Sequence, residues 1–283
     1  MIRNYRPVLL FFCVLTAACN GFSSGPASPT PASESAKPLP DVSAMIRRMT
    51  TQDGCKDFTS EMRMTAENAD GKRDQIEFRL QRKNNDDGAS TFLTVLSPKE
   101  ESNKAILAIE KNDKPTEAFS YLAGLKKLAK LDSARQLNFR GARVTVQELL
   151  GMELGKYTHT AGERAAGPGE PLIKVEFKAK PDLGLAFPTI TGYFRESDQM
   201  PVRFDLSGDN GEVTKKVTIE EVKTIQNHLT ITRVAIEDLA QKLKLKLETR
   251  KIEYDRGLSD KIFTEDALKN FITGASQRLD ESK

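Results

Sequence analysis

Cysteine and histidine are scarce in this sequence, which has three cysteines and two histidines among 283 residues. Cys13 lies in an apolar N-terminal run and Cys19 follows it, so Cys55 alone falls in the part that we expect to fold. One cysteine cannot form an internal disulfide. A nucleophilic Cys55 would need a neighbouring base, and both His159 and His228 lie in strand-like stretches. We therefore interpret Cys55 as a buried or partly exposed residue without a catalytic role.

The motifs of common enzymatic chemistry are also missing. The sequence has no glycine-rich phosphate-binding loop, no zinc-like grouping of cysteine and histidine, and no Gly-x-Ser-x-Gly elbow. Carboxylates are numerous, but they are scattered over the polar faces of predicted strands, where a solvated surface is their usual role. The sequence therefore indicates a protein that is not an enzyme and that needs neither a cofactor nor a metal.

A strong excess of one charge is absent too, since 43 Lys and Arg balance 40 Asp and Glu to give a net charge of +3. Such a balance argues against a nucleic-acid-binding protein. The exception is the stretch 126–143, in which Asp132 is the one acid among six basic residues. We single out Lys126, Lys127 and Lys130 within it. They belong either to a solvated loop or to a contact site for anionic headgroups or an acidic partner.

The apolar run near the N-terminus, residues 8–15, is too short to span a bilayer. Arg3 and Arg6 precede it and small residues follow it, as in a signal peptide. The sequence Leu-Thr-Ala-Ala before Cys19 resembles the lipobox of bacterial lipoproteins. Residues 1–18 are therefore predicted to be a lipoprotein signal peptide, with Cys19 the acylated, palmitate-bearing residue. An ordinary secretory signal with an incidental Cys19 is the alternative.

The segment after this cysteine, residues 19–40, is rich in Ser, Pro and Ala. Such a composition cannot bury enough apolar surface to fold, so we predict an extended, disordered tether. Residues 41–275 are predicted to form one folded domain, and residues 276–283 a C-terminal tail. A tether after a lipidated cysteine would hold this domain at a distance from a membrane.

Within the predicted domain, most segments alternate apolar and polar residues, which indicates β-strands, about eleven in all. Three short helices interrupt or flank them. The first is predicted over residues 41–49, where Val42, Met45, Ile46 and Met49 have helical spacing. The second, over residues 146–152, has the capping-box pair Thr145 and Glu148. The third, over residues 263–272, has Thr264 as its cap.

Consecutive strands joined by short loops predict an antiparallel meander with one apolar face. We find no second sheet in the pattern, so the strands must curl around their apolar side. The predicted fold is mostly β with small helices, an incomplete antiparallel β-barrel with a helical lid. Its concave face would keep an apolar, ligand-binding cleft that suits a lipid or acyl chain. We expect the large residues of the alternating strands to line this cleft: Phe78, Phe92, Tyr121, Phe177, Phe194 and Phe204.

Several short motifs, in the order in which they occur, resemble the LolA-like family of outer-membrane lipoprotein-sorting proteins over residues 43–271. They are Tyr121-Leu122 followed by Leu125-Lys126-Lys127, Gly141 before Gln147-Glu148-Leu149, Met200-Pro201, Gly211 before Lys215-Lys216, and Gly257-Leu258 followed by Phe263-Thr264. The resemblance implies an eleven-stranded half-barrel with a helical lid that carries acyl chains and has no enzymatic activity. It also implies relatives on this fold that sense envelope stress or serve lipid exporters.

These observations favour a membrane-anchored, monomeric periplasmic protein that accepts or carries lipids or lipoprotein acyl chains in trafficking to the outer membrane of a diderm bacterium. Asn20 after Cys19 favours the outer over the inner membrane. The alternative is a non-enzymatic interaction module that serves an envelope lipid exporter, another membrane transport complex or a stress-sensing regulator. A carrier predicts bound lipid in the cleft. An interaction module predicts that the basic stretch matters and that the cleft does not.

Overall fold

The computed structural model describes residues 38–51 and 55–274. The predicted signal peptide, Cys19, most of the predicted tether and the predicted C-terminal tail lie outside these residues, as does the side chain of Met49.

The described residues contain three short α-helices, α1 (Val42–Thr51), α2 (Val146–Leu150) and α3 (Glu265–Ile272). All three lie where the sequence predicts them. Helix α2 is shorter than predicted because Gly151, at φ 97°, turns the chain out of helical geometry. Within the described residues, no helix has the length and apolar character that a membrane crossing requires.

Sixteen strands account for most of the described chain. They are β1 (Asp57–Glu67), β2 (Arg73–Asn85), β3 (Gly88–Ser97), β4 (Ala105–Lys111), β5 (Glu117–Leu122), β6 (Lys127–Leu131), β7 (Gln136–Phe139), β8 (Ala142–Thr145), β9 (Tyr157–His159), β10 (Glu163–Ala165), β11 (Leu172–Ala179), β12 (Thr189–Arg195), β13 (Pro201–Ser207), β14 (Val213–Ile225), β15 (His228–Asp238) and β16 (Leu243–Tyr254). Short 3-10 helices occur at Lys99–Glu101, Ala123–Leu125, Leu154–Lys156 and Asp260–Ile262.

Fourteen of these strands form one antiparallel sheet, in which β1 pairs with both β2 and β16 and so joins the first half of the chain to the second. The sheet runs from β10 to β6 and does not close on itself. The predicted fold class, a mostly β, incomplete antiparallel barrel, is confirmed. The structure has more strands than the eleven predicted because short segments such as β6, β8 and β10 carry too few residues to show an alternating pattern.

Two features of the central region differ from the sequence interpretation. The stretch that begins at Lys126 is a loop only in part, because β6 pairs with β5 and forms one edge of the sheet. Strands β7 and β8 form a separate two-stranded hairpin, so a small second sheet exists after all. This hairpin leads directly into α2.

The core consists of three clusters. In the first, α2 and the β7–β8 hairpin pack on one face of β1–β4 and β16, which we call the inner face. In the second, α1 packs on β11–β13. In the third, α3 packs against Phe92 and Leu107. These two side chains alternate with Leu93 and Ile106 of the first cluster, so α3 covers the opposite, outer face of β3 and β4.

Candidate functional site

The start of the short helix α2 is fixed by its capping box, which forms as predicted. The Thr145 hydroxyl oxygen accepts a hydrogen bond from the Glu148 amide at 3.2 Å, and the Glu148 carboxylate accepts one from the Thr145 amide at 2.7 Å. These bonds satisfy amides that a helix start would otherwise leave without a partner. With its start fixed in this way, α2 presents Leu149 and Leu150 to the space between the helix and the sheet.

That space is a cavity of about 200 Å³, partly open to solvent, between α2 and the inner faces of β1, β2 and β13–β16. Its walls are mostly aliphatic. The side chains that line it include Met62, Leu80, Leu149, Leu150, Met152, Leu206, Val217, Ile219, Ile231, Val234, Ile236, Leu247 and Ile252. Because an apolar cavity of about 150 Å³ can hold benzene, this one has room for part of an acyl chain.

The six aromatic residues expected in the cleft do not share one surface. Phe204 lines the cavity. Phe78 belongs to the first core cluster, and Phe177 and Phe194 are fully buried in the second, where their rings meet edge to face. The other two, Phe92 and Tyr121, lie on the outer face in the cluster around α3.

The aliphatic residues that line the cavity were not among the predicted cleft residues, because only the largest side chains of the alternating strands were expected there. A different signal was present in the sequence. In β14 the apolar side chains Val217 and Ile219 alternate with polar ones, and in β15 Val234 and Ile236 lie two residues apart on one face. Three short helices are too few to cover every strand. An apolar strand face that nothing covers is where an open cavity is expected.

A buried polar network borders the cavity where the chain leaves α2. Arg82 lines the cavity and is almost fully buried. Its guanidinium forms an ion pair with Glu110, donates a 2.8 Å hydrogen bond to the Thr91 hydroxyl, and lies 3.6 Å from Glu153. Glu153 in turn pairs with the Lys156 ammonium at 2.9 Å. The network therefore ties the segment after α2 to β2, β3 and β4.

Burial raises the pKa of the Glu110 carboxyl to about 8, against the opposing effect of the Arg82 charge. The neighbouring Glu153 carboxylate raises the pKa of Glu110 further, because two negative charges repel each other at short range. The Glu110 carboxyl therefore holds its proton to a higher pH than an exposed glutamate does.

A second buried network holds the beginning of α2. The Lys215 ammonium on β14 lies 2.7 Å from the Glu148 carboxylate and 3.1 Å from that of Asp238, at the end of β15. Asp238 also accepts hydrogen bonds from Gln241, whose side chain donates to the Arg143 carbonyl at 2.7 Å. Helix α2 is thus fixed to the sheet by charged groups on both sides of an apolar cavity.

The three lysines that the sequence singled out differ in their surroundings. Lys130 forms an exposed ion pair with Glu117, with 3.1 Å between the ammonium and the carboxylate. Lys126 and Lys127 are exposed, and neither has an ion pair within residues 38–51 and 55–274. The structure therefore separates Lys130, which is paired, from the two lysines at the β5–β6 turn.

Comparison with known proteins relates the chain to a family and to several solved structures. The model of a family described as an uncharacterized protein matches residues 87–270. No curated protein matches the chain.

Three solved structures share the fold. A domain assigned to outer-membrane lipoprotein sorting, from Vibrio parahaemolyticus, is 18% identical, with a TM-score of 0.68 over 77% of this chain and 93% of that chain. A DUF1329 family protein from Desulfovibrio piger is 17% identical, with a TM-score of 0.71 over 80% of this chain and 96% of the other. A LolA superfamily protein from Nitrosomonas europaea is 17% identical, with a TM-score of 0.65 over 76% and 93% of the two chains.

Proposed function

Because the chain belongs to the family whose model matches residues 87–270 and has the LolA-like fold, we propose that it binds an acyl chain in the cavity beneath α2. In this role it is a carrier or acceptor of lipids or lipoproteins in the cell envelope of a diderm bacterium. It acts without catalysis and as a monomer.

The observation that carries the proposal is the apolar cavity between α2 and six strands. Two of the charged residues that line the cavity, Arg82 and Glu148, already form ion pairs with buried side chains of the protein. A polar metabolite would have to compete with these partners and would leave its own polar groups unsatisfied against aliphatic walls. An acyl chain has no polar groups along its hydrocarbon part to leave unsatisfied, and the transfer of the part that enters from water to the cavity is favourable.

The experiment compares two neighbouring positions of β14 that point to opposite faces. Ile219 is half-buried in the cavity wall, whereas Thr218 is exposed on the outer face. We expect Ile219→Asp to lower the affinity for a fluorescent fatty acid at least tenfold, because it places a carboxylate where the chain would lie. Thr218→Asp adds the same charge and should leave the affinity unchanged.

Circular dichroism and melting temperature show whether both variants fold. If the wild type binds no fatty acid, or if Thr218→Asp weakens binding as much as Ile219→Asp, the cavity is not the binding site. The interaction-module function would then be preferred.

The proposal also includes anchoring. We place the protein in the periplasm, tethered by an acylated Cys19 to the outer membrane. Two or three acyl chains on one cysteine give stable anchoring, which a single chain does not. We expect wild-type protein in its host to incorporate labelled palmitate and to sediment with membranes at high salt, and Cys19→Ala to do neither. Palmitate incorporation by Cys19→Ala would contradict this part.

A further inference from the structure

The turn between β5 and β6 exposes two leucines that the fold itself leaves uncovered. Leu125 is 73% exposed, the highest value among the large apolar side chains that are exposed in the described chain, and Leu122 is 44% exposed. Strand β5 ends at Leu122, a 3-10 turn follows over Ala123–Leu125, and β6 is the edge of the sheet. A single exposed leucine is ordinary. Two exposed leucines three residues apart at one turn on the sheet edge form a local apolar tip.

Two cations lie next to these leucines. Lys126 and Lys127 follow Leu125 directly, are exposed, and lack an ion pair within the described residues. Farther along β6, Lys130 is neutralised by Glu117. The two ammonium groups can therefore bind an anion from outside the protein. The exposed leucines beside them can contact an apolar surface at the same time.

The base of the turn is firmly packed. Tyr121 of β5 lies opposite Leu128 of β6, and both side chains pack in the third core cluster with Phe271 of α3. Because these side chains hold the strands, the turn can place its leucines against a surface without local unfolding. This site lies on a different part of the sheet from the cavity, so its function does not depend on acyl-chain binding there.

We propose that the basic–apolar turn, formed by Leu122, Leu125, Lys126 and Lys127, docks on the surface of an anionic lipid bilayer. The lysines bind the headgroup phosphates and the two leucines enter the boundary of the acyl region. A protein partner fits less well. A specific protein interface buries about 800 Å² on each partner and is usually anchored by aromatic or arginine side chains, whereas this turn presents two leucines and two flexible lysines.

The test uses a favourable property of the chain, which contains no tryptophan. In the full-length protein, Leu125→Trp places a single tryptophan at the tip. With vesicles of phosphatidylcholine and phosphatidylglycerol, its emission should shift to shorter wavelength and should be quenched by brominated acyl chains. The control Leu239→Trp replaces another leucine that is exposed, at 45%, after β15. It should show neither effect, even if the N-terminal segment brings the protein to the vesicles.

Charge reversal separates electrostatic docking from unspecific adhesion. In the Leu125→Trp protein, Lys126→Glu together with Lys127→Glu should weaken vesicle binding by on the order of fivefold or more per lysine. Lys244→Glu together with Lys246→Glu changes the net charge equally at exposed positions of β16 and should have little effect. Vesicles of phosphatidylcholine alone should shift the emission of the Leu125→Trp protein little.

Four results would overturn the proposal. The emission of the Leu125→Trp protein could stay unchanged while the protein binds the anionic vesicles, or the Leu239→Trp protein could respond equally. Alternatively, both double charge reversals could weaken binding to the same extent. Finally, the variants Leu122→Ser and Leu125→Ser, once circular dichroism has shown that they are folded, could float with anionic vesicles as well as the wild type, and the leucines would then have no part in docking.

Discussion

The buried triad of Lys215, Glu148 and Asp238 allows a quantitative prediction. All three side chains are nearly inaccessible, with exposed fractions of 8%, 10% and 0%. Replacing Lys215 with methionine keeps most of the side-chain volume and removes the positive charge. Two carboxylates then remain close together and out of water. Breaking a buried ion pair in this way costs about 3 to 5 kcal/mol of unfolding free energy. This is a large part of the roughly 5 to 15 kcal/mol that is typical of a domain.

Urea unfolding of the Lys215→Met protein at neutral pH measures this cost. A second substitution tests whether the cost is electrostatic. Asp238→Asn removes one of the two carboxylates that Lys215→Met leaves without a cation. Asp238→Asn should destabilise the wild type, in which it deprives Lys215 of a partner at 3.1 Å. In the Lys215→Met background it should stabilise the protein. Opposite signs in the two backgrounds are expected only if the cost is electrostatic.

Lys130→Ala is the matched control, because it removes a lysine from an ion pair with Glu117 in which both side chains are exposed. It should cost less than about 1 kcal/mol. Lys215 would not hold α2 electrostatically if Lys215→Met cost no more than Lys130→Ala, or if Asp238→Asn destabilised both backgrounds. Because Glu148 holds α2 over the cavity, Lys215→Met should also release a bound fatty acid faster than the wild type does.

Two further predictions concern pH and packing. The pKa of Glu110 is about 8 in the folded protein and 4.5 as a reference, so the folded state holds a proton that the unfolded state releases. The free energy of unfolding should fall as the pH rises from 4.5 to 8. Urea midpoints measured across this range should fall less for Glu110→Gln than for the wild type. Phe177→Ala should cost about 3 to 5 kcal/mol, because it empties a fully buried site. Leu149 is half-buried in the cavity wall, so Leu149→Ala should lower the melting temperature clearly less than Phe177→Ala does, while it lowers the affinity for a fatty acid. Equal losses of stability in the two variants would contradict this distinction.

Local features of the structure were predictable because they depend on neighbouring residues. The capping box of Thr145 and Glu148 needs only a spacing of three residues. The spacing of Val42 and Met45 marks the buried side of α1. Alternation with a period of two identified most strands, and short connections implied their antiparallel pairing. Together these signals were enough for the fold class.

The position of α3 was not predictable in the same way. Alternation divides the side chains of a strand into two faces, but it does not tell which face a distant helix covers. Phe92 and Tyr121 were expected in the cleft for this reason, and they lie beneath α3 on the outer face. The sequence does hold a hint, since β4 begins with a continuous apolar run at residues 105–109 and β3 places Phe92 directly beside Leu93. Such runs are typical of strands that are buried on both faces.

By itself the sequence determined most of the strands, the three helices and the alternation that gives the sheet an apolar face, because each of these depends on residues close together in the chain. The tertiary structure alone decided where that face stays open. The cavity is the part of the inner face that neither α1 nor the hairpin before α2 fills. The ion pairs that hold α2 over the cavity join Glu148 to Lys215 and Lys215 to Asp238. Contacts over such separations have no periodic signature, because they form only when the folded sheet brings distant strands together.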